Sequence, residues 1–249
     1  MKSIWTTEFQ VRSYESDRTG TLKPHSLLNY FEEAAQQHAR ELGFGYEQLK
    51  EQQRFWVLSR LEAVVDRSPR WGEKVTIQTW PKSVSRLFAI RDFFIYDGQN
   101  DNGDGQPLVR ATSAWLLMDA KAGRPLRPEK YLPQGPLLDN AKKSALNEVP
   151  GKIGFDEDGP EVVSTVAVQY SDLDVNDHVN NSVYLRWIDD AVRKESQDRE
   201  LLRLELNFLK EASLPMTLEI LRSGRNPVTL ECRSSDGEAL MRGVLSYRE

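Results

Sequence analysis

The feature that most constrains the fold is one pattern of elements that occurs in both halves of the chain. In each half an extended segment leads into a polar turn, a long amphipathic helix and several strand-like segments. Aligned without gaps at an offset of 157 residues, the halves share apolar and acidic positions: Val11 with Val168, Asp17 with Asp174, Leu28 with Leu185, Glu32 with Asp189 and Ala34 with Ala191. A second offset of 143 aligns the following strands, including Leu61 with Leu204. Self-similarity of this kind predicts a duplicated structural unit.

The apolar spacing within each half predicts one helix followed by antiparallel strands. Pro24 opens the first helix, and its apolar stripe runs to Leu42, with Gly43 ending it. We expect the second helix from residue 181 to about 195. Strands are expected over residues 4–14, 57–65, 74–80, 87–96 and 109–118, and over residues 162–171, 202–210, 215–222, 227–233 and 238–247. Helices and antiparallel strands in this order indicate an α+β fold.

A proline-rich stretch with little periodicity separates the two halves. Turn-forming residues and the loss of a helical or strand pattern are typical of a connection between domains. We therefore predict an N-terminal domain over residues 1–125, a linker over residues 126–160 and a C-terminal domain over residues 161–249.

Composition excludes several classes of protein. The formal net charge of −5 argues against a general nucleic-acid binder. No apolar run is long enough to cross a bilayer, and the first residues lack the apolar core of a signal peptide, so a cytoplasmic location is expected. The single cysteine, Cys232, excludes an internal disulfide and a cysteine-rich zinc site. A basic stretch between Arg54 and Arg91 is either a solvated strand face, which we favour, or a docking surface for an acidic partner.

The best candidate for a functional site is the polar segment just before the second helix. Asp174, Asn176 and His178 alternate with other residues there. In an extended segment, residues two apart point to the same side, so we expect these three side chains to share one face. Asn180 or Asn181 is placed to cap the helix that follows.

A polar cluster at a helix N-terminus suits chemistry on a carbonyl group. Unpaired backbone N–H groups and the helix dipole stabilise an oxygen that gains negative charge. His178 supplies a proton acceptor and Asn176 a donor that does not ionise. The alternative is that these residues only cap the helix and form a turn, and the residues by themselves support both interpretations equally. At the matching positions the first half has Thr19 and Thr21, so we expect it to shape a pocket.

Several motifs resemble those of the acyl-carrier-protein (ACP) thioesterases. The matching segments are Asp174–Asn181 followed by Tyr184 and Trp187, and in the first half Arg12–Gly20, Phe31–Ala35 and Trp115–Asp119. Together they extend over most of the chain. The resemblance implies two tandem hotdog domains, each a long central helix wrapped by an antiparallel sheet.

The resemblance also implies which residues are catalytic. By this similarity the active site comprises Asp174, Asn176, His178 and Glu211. Plant members often carry a cysteine directly after the glutamate, where this chain has Ala212, so direct attack by water is favoured. Glu211 and His178 would then activate water, Asn176 would hold the thioester carbonyl, and Asp174 would orient its neighbours. The division of roles between His178 and Glu211 stays open.

The activity implied is hydrolysis of fatty acyl-ACP to free fatty acid and ACP, without a metal or other cofactor. The expected partner is ACP carrying an acyl chain, with the acyl pocket in the N-terminal domain, no nucleic acid and no membrane span. Hotdog proteins commonly pair, so a homodimer is also expected. Three alternatives stay open: an acyl-CoA thioesterase, a non-catalytic acyl-binding or regulatory protein, and a dehydratase acting on hydroxyacyl thioesters.

Overall fold

The structure is a computed structural model that describes residues 3–98, 105–132, 143–156, 160–193 and 199–248. Two helices dominate it: α1 (Pro24–Glu41) and α3 (Asn181–Arg193), with a short α2 (Tyr46–Glu51) between them. α1 begins at a proline, whose missing N–H is harmless in the first turn. It ends before Gly43, which has φ +82° and so supplies the left-handed conformation that terminates a helix.

Eleven strands in the described residues form one antiparallel sheet. They are β1 (Trp5–Gln10), β2 (Arg54–Val65), β3 (Lys74–Ser85), β4 (Phe88–Asp97), β5 (Val109–Asp119), β6 (Arg124–Leu126), β7 (Glu161–Ala167), β8 (Leu201–Phe208), β9 (Thr217–Gly224), β10 (Val228–Ser234) and β11 (Ala239–Tyr247). Their order is β1-β3-β4-β5-β2-β8-β11-β10-β9-β7, and β6 pairs with β5. The sheet therefore runs through both halves of the chain.

The halves join where β2 pairs with β8. Glu62 lies opposite Glu205 in this pairing, and the two are equivalent positions in the repeat. Like charges facing each other repel, but Arg203 lies 2.8 Å from the Glu62 carboxylate and 3.1 Å from that of Glu205. Because the two residues that pair are equivalent in the repeat, the two halves of the sheet are related by a local two-fold at its centre.

Both long helices pack on the sheet and on each other. Phe31 and Ala34 from α1 and Leu185 and Ile188 from α3 are fully buried in one apolar cluster. The cluster also takes in side chains of both halves of the sheet, such as Leu61. Because the two helices share this core, α1 of the first half lies against the start of the second half, which matters for the site below.

The predicted α+β order is confirmed, with corrections at the ends of strands. The expected first strand of each half ends early, because Ser13–Glu15 and Tyr170–Asp172 form single 3₁₀ turns. The sequence prediction missed α2 and β6, and β6 spans the predicted boundary after residue 125. Among the described helices, none has the length and apolarity that a membrane crossing requires.

Candidate active site

The polar segment before α3 is a closed turn. Its ends are joined by a bridge between Leu173 and Val179. Within it the N–H of Asp174 donates to the carbonyl of His178 at 2.8 Å, and the N–H of Asp177 donates to the carbonyl of Asp174 at 3.1 Å. Asp177 has φ +60°, a left-handed conformation that reverses the chain. The expectation of an extended segment with alternating side chains was therefore wrong.

The carboxylate of Asp174 holds this turn together. Its Oδ1 accepts the backbone N–H of Asn176 at 2.8 Å and that of His178 at 3.4 Å. Its Oδ2 accepts a side-chain N–H of Asn176 at 3.3 Å. One carboxylate thus fixes the backbone of the turn and the amide plane of Asn176. A side chain that hydrogen-bonds its own neighbouring backbone competes with extended structure, which explains the correction.

His178 and Glu211 are brought together by the fold. The His178 Nε2 lies 3.3 Å from the Glu211 Oε2, and the two side chains are 39% and 51% exposed. Glu211 follows β8. The next residue, Ala212, is anchored because its carbonyl accepts the N–H of Val179 at 2.8 Å. The backbone therefore fixes the loop that carries the carboxylate to the turn that carries the imidazole.

The start of α3 lies directly beside the turn. Asn180 caps the helix, since its Oδ1 accepts both the N–H and the hydroxyl of Ser182 at 2.8 Å. The side chain of Asn181 points elsewhere, and its Nδ2 donates to the Glu32 Oε1 of α1 at 2.8 Å. Of the two expected caps, Asn180 is confirmed. Asn181 links the second half to the first.

Two neighbouring spaces that share lining residues lie next to the turn and the start of α3. A groove of about 1080 Å³ is lined by Asp174, Asn176 and Asn181 from the second half and by Glu32 and Trp115 from the first. Glu32 and Trp115 also line a separate cavity of about 100 Å³. The other residues of that cavity are mainly apolar and include Ala35, Ala39, Leu42, Phe44, Trp56 and Ile90. A substrate with a polar reacting group and an apolar tail would fit such an arrangement.

Glu32 is the residue of this site that the sequence prediction missed. Desolvation raises the pKa of Glu32 to about 7, with the hydrogen bond from Asn181 opposing the rise and the charge of Asp174 adding to it. Two sequence signals involved Glu32: its alignment with Asp189 in the repeat and its place in the segment Phe31–Ala35 that resembles the family. Neither gave a sign of contact with Asn181.

The basic stretch of the first half is not one solvated face. Arg91 lines the apolar cavity, and its guanidinium donates to the Thr79 hydroxyl at 3.2 Å and lies 3.1 Å from the His38 ring. Lys82 forms an ion pair with the fully buried Asp92 at 3.3 Å. The interpretation as a purely solvated strand was therefore wrong for these residues.

Across the part of the chain that is described, no cluster of three or more His, Cys, Asp and Glu residues is arranged to hold a metal ion.

Two family models match the chain. The model described as the acyl-ACP thioesterase N-terminal domain matches residues 2–131, and the one described as the C-terminal domain matches residues 157–241. Among curated proteins, the chloroplastic palmitoyl-acyl carrier protein thioesterase of Gossypium hirsutum is 28% identical over 267 residues, covering 98% of this chain and 64% of that relative. Oleoyl-acyl carrier protein thioesterase 1 of Arabidopsis thaliana is 28% identical over 249 residues, covering 93% and 66%.

Solved structures extend the likeness to the whole fold. An acyl-ACP thioesterase from Bacteroides thetaiotaomicron superposes with a TM-score of 0.87 at 29% identity, covering 99% of this chain and 98% of that one. The 12:0-ACP thioesterase from Umbellularia californica gives a TM-score of 0.82 at 21% identity, covering 100% and 98%, and supports the fold alone. The tandem hotdog fold is confirmed. The chain spans between about half and two thirds of the length of the curated relatives.

Proposed function

We propose that this chain, which belongs to the acyl-ACP thioesterase family, hydrolyses fatty acyl-ACP to a free fatty acid and ACP. The observation that carries the proposal is the 3.3 Å approach of the Glu211 carboxylate to the His178 imidazole, on a turn whose Asp174 and Asn176 line a groove. This groove shares Glu32 and Trp115 with an apolar cavity. A proton acceptor, a hydrogen-bond donor and an apolar recess are what hydrolysis of a fatty thioester requires.

The proposed reaction begins with a water molecule held against the pair formed by His178 and Glu211. As its oxygen forms a bond to the thioester carbon, a proton passes to this pair, and general-base help of this kind contributes roughly 10²–10⁴-fold. The carbonyl oxygen becomes negative and is stabilised by the Asn176 amide and by the backbone N–H of Asn181 at the start of α3. The C–S bond then breaks, and the ACP thiolate leaves and takes up a proton. Asp174 orients the Asn176 amide through its hydrogen bond of 3.3 Å.

Attack by water is proposed because neither candidate position offers a reactive thiolate. The residue after Glu211 is Ala212, whose side chain is fully buried. Cys232 lies on β10 and is fully buried as well, and desolvation raises the pKa of its thiol to about 12. A thiol that stays protonated inside the sheet is a poor nucleophile.

The proposal includes a division of labour between the halves. Residues 1–125 would hold the acyl chain, since they supply the lining of the apolar cavity apart from Leu132, and residues 126–160 would link the halves. Residues 161–249 would carry Asp174, Asn176, His178 and Glu211. A homodimer and a cytoplasmic location remain predictions from the sequence.

The test is an assay of purified protein with medium- and long-chain acyl-ACP, following release of the ACP thiol. We expect turnover, and a higher kcat/KM for acyl-ACP than for acyl-CoA of the same chain length. A preference for acyl-CoA would instead favour the related CoA thioesterase. Tight binding of acyl-ACP without release of thiol would contradict the proposal and favour an acyl-binding protein.

A further inference from the structure

Glu32 belongs to the first half of the chain but makes its hydrogen bond to the second. Its Oε1 accepts the Nδ2 of Asn181 at 2.8 Å, across 149 residues of sequence. Asn181 is the first residue of α3 and follows the capping residue Asn180. The hydrogen bond therefore joins the start of α3, beside the catalytic turn, to the middle of α1.

The position of Glu32 is where the two spaces of the site meet. Glu32 and Trp115 line both the groove, which contains Asp174 and Asn176, and the apolar cavity. An acyl chain whose thioester lies at the turn and whose tail enters the cavity must pass these two side chains. The carboxyl group thus lies beside the path of the substrate as well as beside the helix start.

The equivalent acid in the second half is used differently. Asp189 forms an ion pair with Arg193 one turn later in α3, with the guanidinium Nε 2.9 Å from both oxygens. In α1 the residue one turn after Glu32 is Gln36, which carries no charge. Glu32 is half-buried and its hydrogen-bond partner is an amide instead of a cation. Removing a carboxylate partly from water without pairing its charge costs stability. A residue that costs stability yet bridges two halves at a reactive site suggests a role in the reaction.

We propose that Glu32 is a positioning residue for the hydrolysis: by holding Asn181 it sets the first turn of α3 against the thioester carbonyl. The inference rests on the proposed function. Without the acceptor, Asn181 and its backbone N–H would shift relative to the catalytic turn. Displacements of about 1 Å at a reacting centre cost up to about 10²-fold in rate, so we expect kcat to fall by about 10-fold or more while KM changes little.

The experiment compares kcat and KM on acyl-ACP for the full chain and four variants: Glu32→Ala, Glu32→Gln, Asn181→Ala and the double variant Glu32→Ala/Asn181→Ala. Glu32→Gln retains a side-chain oxygen that can accept from Asn181, so it should recover most of the kcat lost in Glu32→Ala. The double variant should be no slower than the slower single variant, because both remove one interaction. Glu41→Ala, an exposed acid at the end of the same helix, is the matched control and should keep the wild-type kcat.

The outcomes separate this inference from the function it rests on. An inactive wild-type protein would defeat the proposed hydrolysis itself. With an active wild type, a Glu32→Ala variant of unchanged kcat would overturn the positioning role. The role would also be overturned if Glu32→Gln were as slow as Glu32→Ala, or if the two single losses multiplied in the double variant. If Glu32→Ala fails to fold, the other two single variants still decide. The positioning role requires a near-normal kcat in Glu32→Gln and a reduced kcat in Asn181→Ala.

Discussion

The two halves of the molecule build the same turn before their long helices. In the first half the N–H of Asp17 donates to the carbonyl of Thr21 at 2.8 Å, as Asp174 does to His178 in the second. The Asp17 Oδ1 accepts the N–H groups of Thr19 and Thr21 at 2.8 and 3.0 Å, which reproduces the contacts of Asp174. The reversal itself is left-handed in both, at Gly20 with φ +79° and at the equivalent residue of the second half with φ +60°.

What differs is the chemistry and the space around the turn. In the first half Thr19 and Thr21 occupy the positions of Asn176 and His178. At an offset of 143 residues, Ser68 aligns with Glu211. The first turn borders a cavity of only about 30 Å³. The second borders a groove of about 1080 Å³. The aspartate builds the turn in both halves, whereas the proposed reactivity of the second half depends on three further side chains and on access to a groove.

The largest expected difference lies between the reactive pair and its counterparts. His178→Ala and Glu211→Ala should each lower kcat on acyl-ACP by about 10²–10⁴-fold, because each removes part of the general base. Thr21→Ala and Ser68→Ala should leave kcat unchanged, since these residues are proposed only to shape the fold. Turnover assays with circular dichroism as a check of folding would decide. Equal losses in the two sets would contradict the assignment of reactivity to the second half.

A second comparison concerns the two aspartates. Asp17→Ala and Asp174→Ala should each destabilise the protein by about 1–3 kcal/mol, because both leave backbone N–H groups without an acceptor. Only Asp174→Ala should also lose turnover, since Asp174 orients the Asn176 amide. Urea denaturation measures the first effect and kcat the second. A full rate in a folded Asp174→Ala protein would show that the turn needs no carboxylate for activity.

The contribution of Asp17 to stability should depend on pH. Burial opposes ionisation of Asp17, but hydrogen bonds from Thr19 and Thr21 lower the pKa of its carboxyl below the usual value. A lowered folded-state pKa contributes stability that is present above the unfolded value of about 3.9 and is lost as the pH falls below it. The stability difference between wild type and Asp17→Ala should therefore shrink in acid, which denaturation curves at several pH values would detect.

The third effect concerns Glu32, whose pKa shift has the opposite sign to that of Asp17. The pKa of Glu32 is raised to about 7, mainly by desolvation. An unfolded glutamate titrates near about 4.3, so the folded state binds the proton more tightly, and stability falls as the pH rises between these two values. The ionised group should cost about 1–3 kcal/mol above neutral pH, after allowance for its partial exposure.

Replacing that charge should therefore stabilise the protein. Glu32→Gln should melt at a higher temperature than wild type at about pH 8, where the carboxyl is ionised in the folded protein. The two should melt at similar temperatures below about pH 4, where the carboxyl is protonated in both the folded and the unfolded state. Asp189→Asn is the contrasting variant, since it breaks the ion pair with Arg193 and should destabilise. A Glu32→Gln protein that melted below wild type at the higher pH would show that the charge stabilises the fold.

The sequence could predict the local elements but not the contacts between halves. The helix from Pro24 and most strands follow from apolar spacing, which is a local property. The segment at Asp174 was predicted as a polar turn and a site, but its side chains were expected to alternate along an extended backbone. Its closed shape depends on side-chain to backbone hydrogen bonds, which apolar spacing does not indicate. The Glu211 contact with His178 was expected only through the family resemblance, since an exposed glutamate after a strand has no distinctive pattern. The Glu32 bond to Asn181 depends on how two distant helices pack.

The smallest expected effect is at Ala212, where plant members of the family often carry a cysteine. The carbonyl of Ala212 accepts the N–H of Val179 at 2.8 Å, and in the first half the carbonyl of Pro69 accepts that of Leu22 at 2.9 Å. Proline and alanine fill equivalent positions, so in both halves the position serves the turn through its backbone.

Ala212→Cys should therefore leave kcat unchanged. The extra sulfur in a fully buried position should cost about 1 kcal/mol or more of stability. Alkylation with iodoacetamide gives a direct measure, because Cys232 is buried and stays protonated, so any loss of activity on alkylation would come from the new thiol. A variant that gained rate and became sensitive to alkylation would show that a thiol at this position can attack the thioester, and water attack would then no longer be the only route that the fold supports.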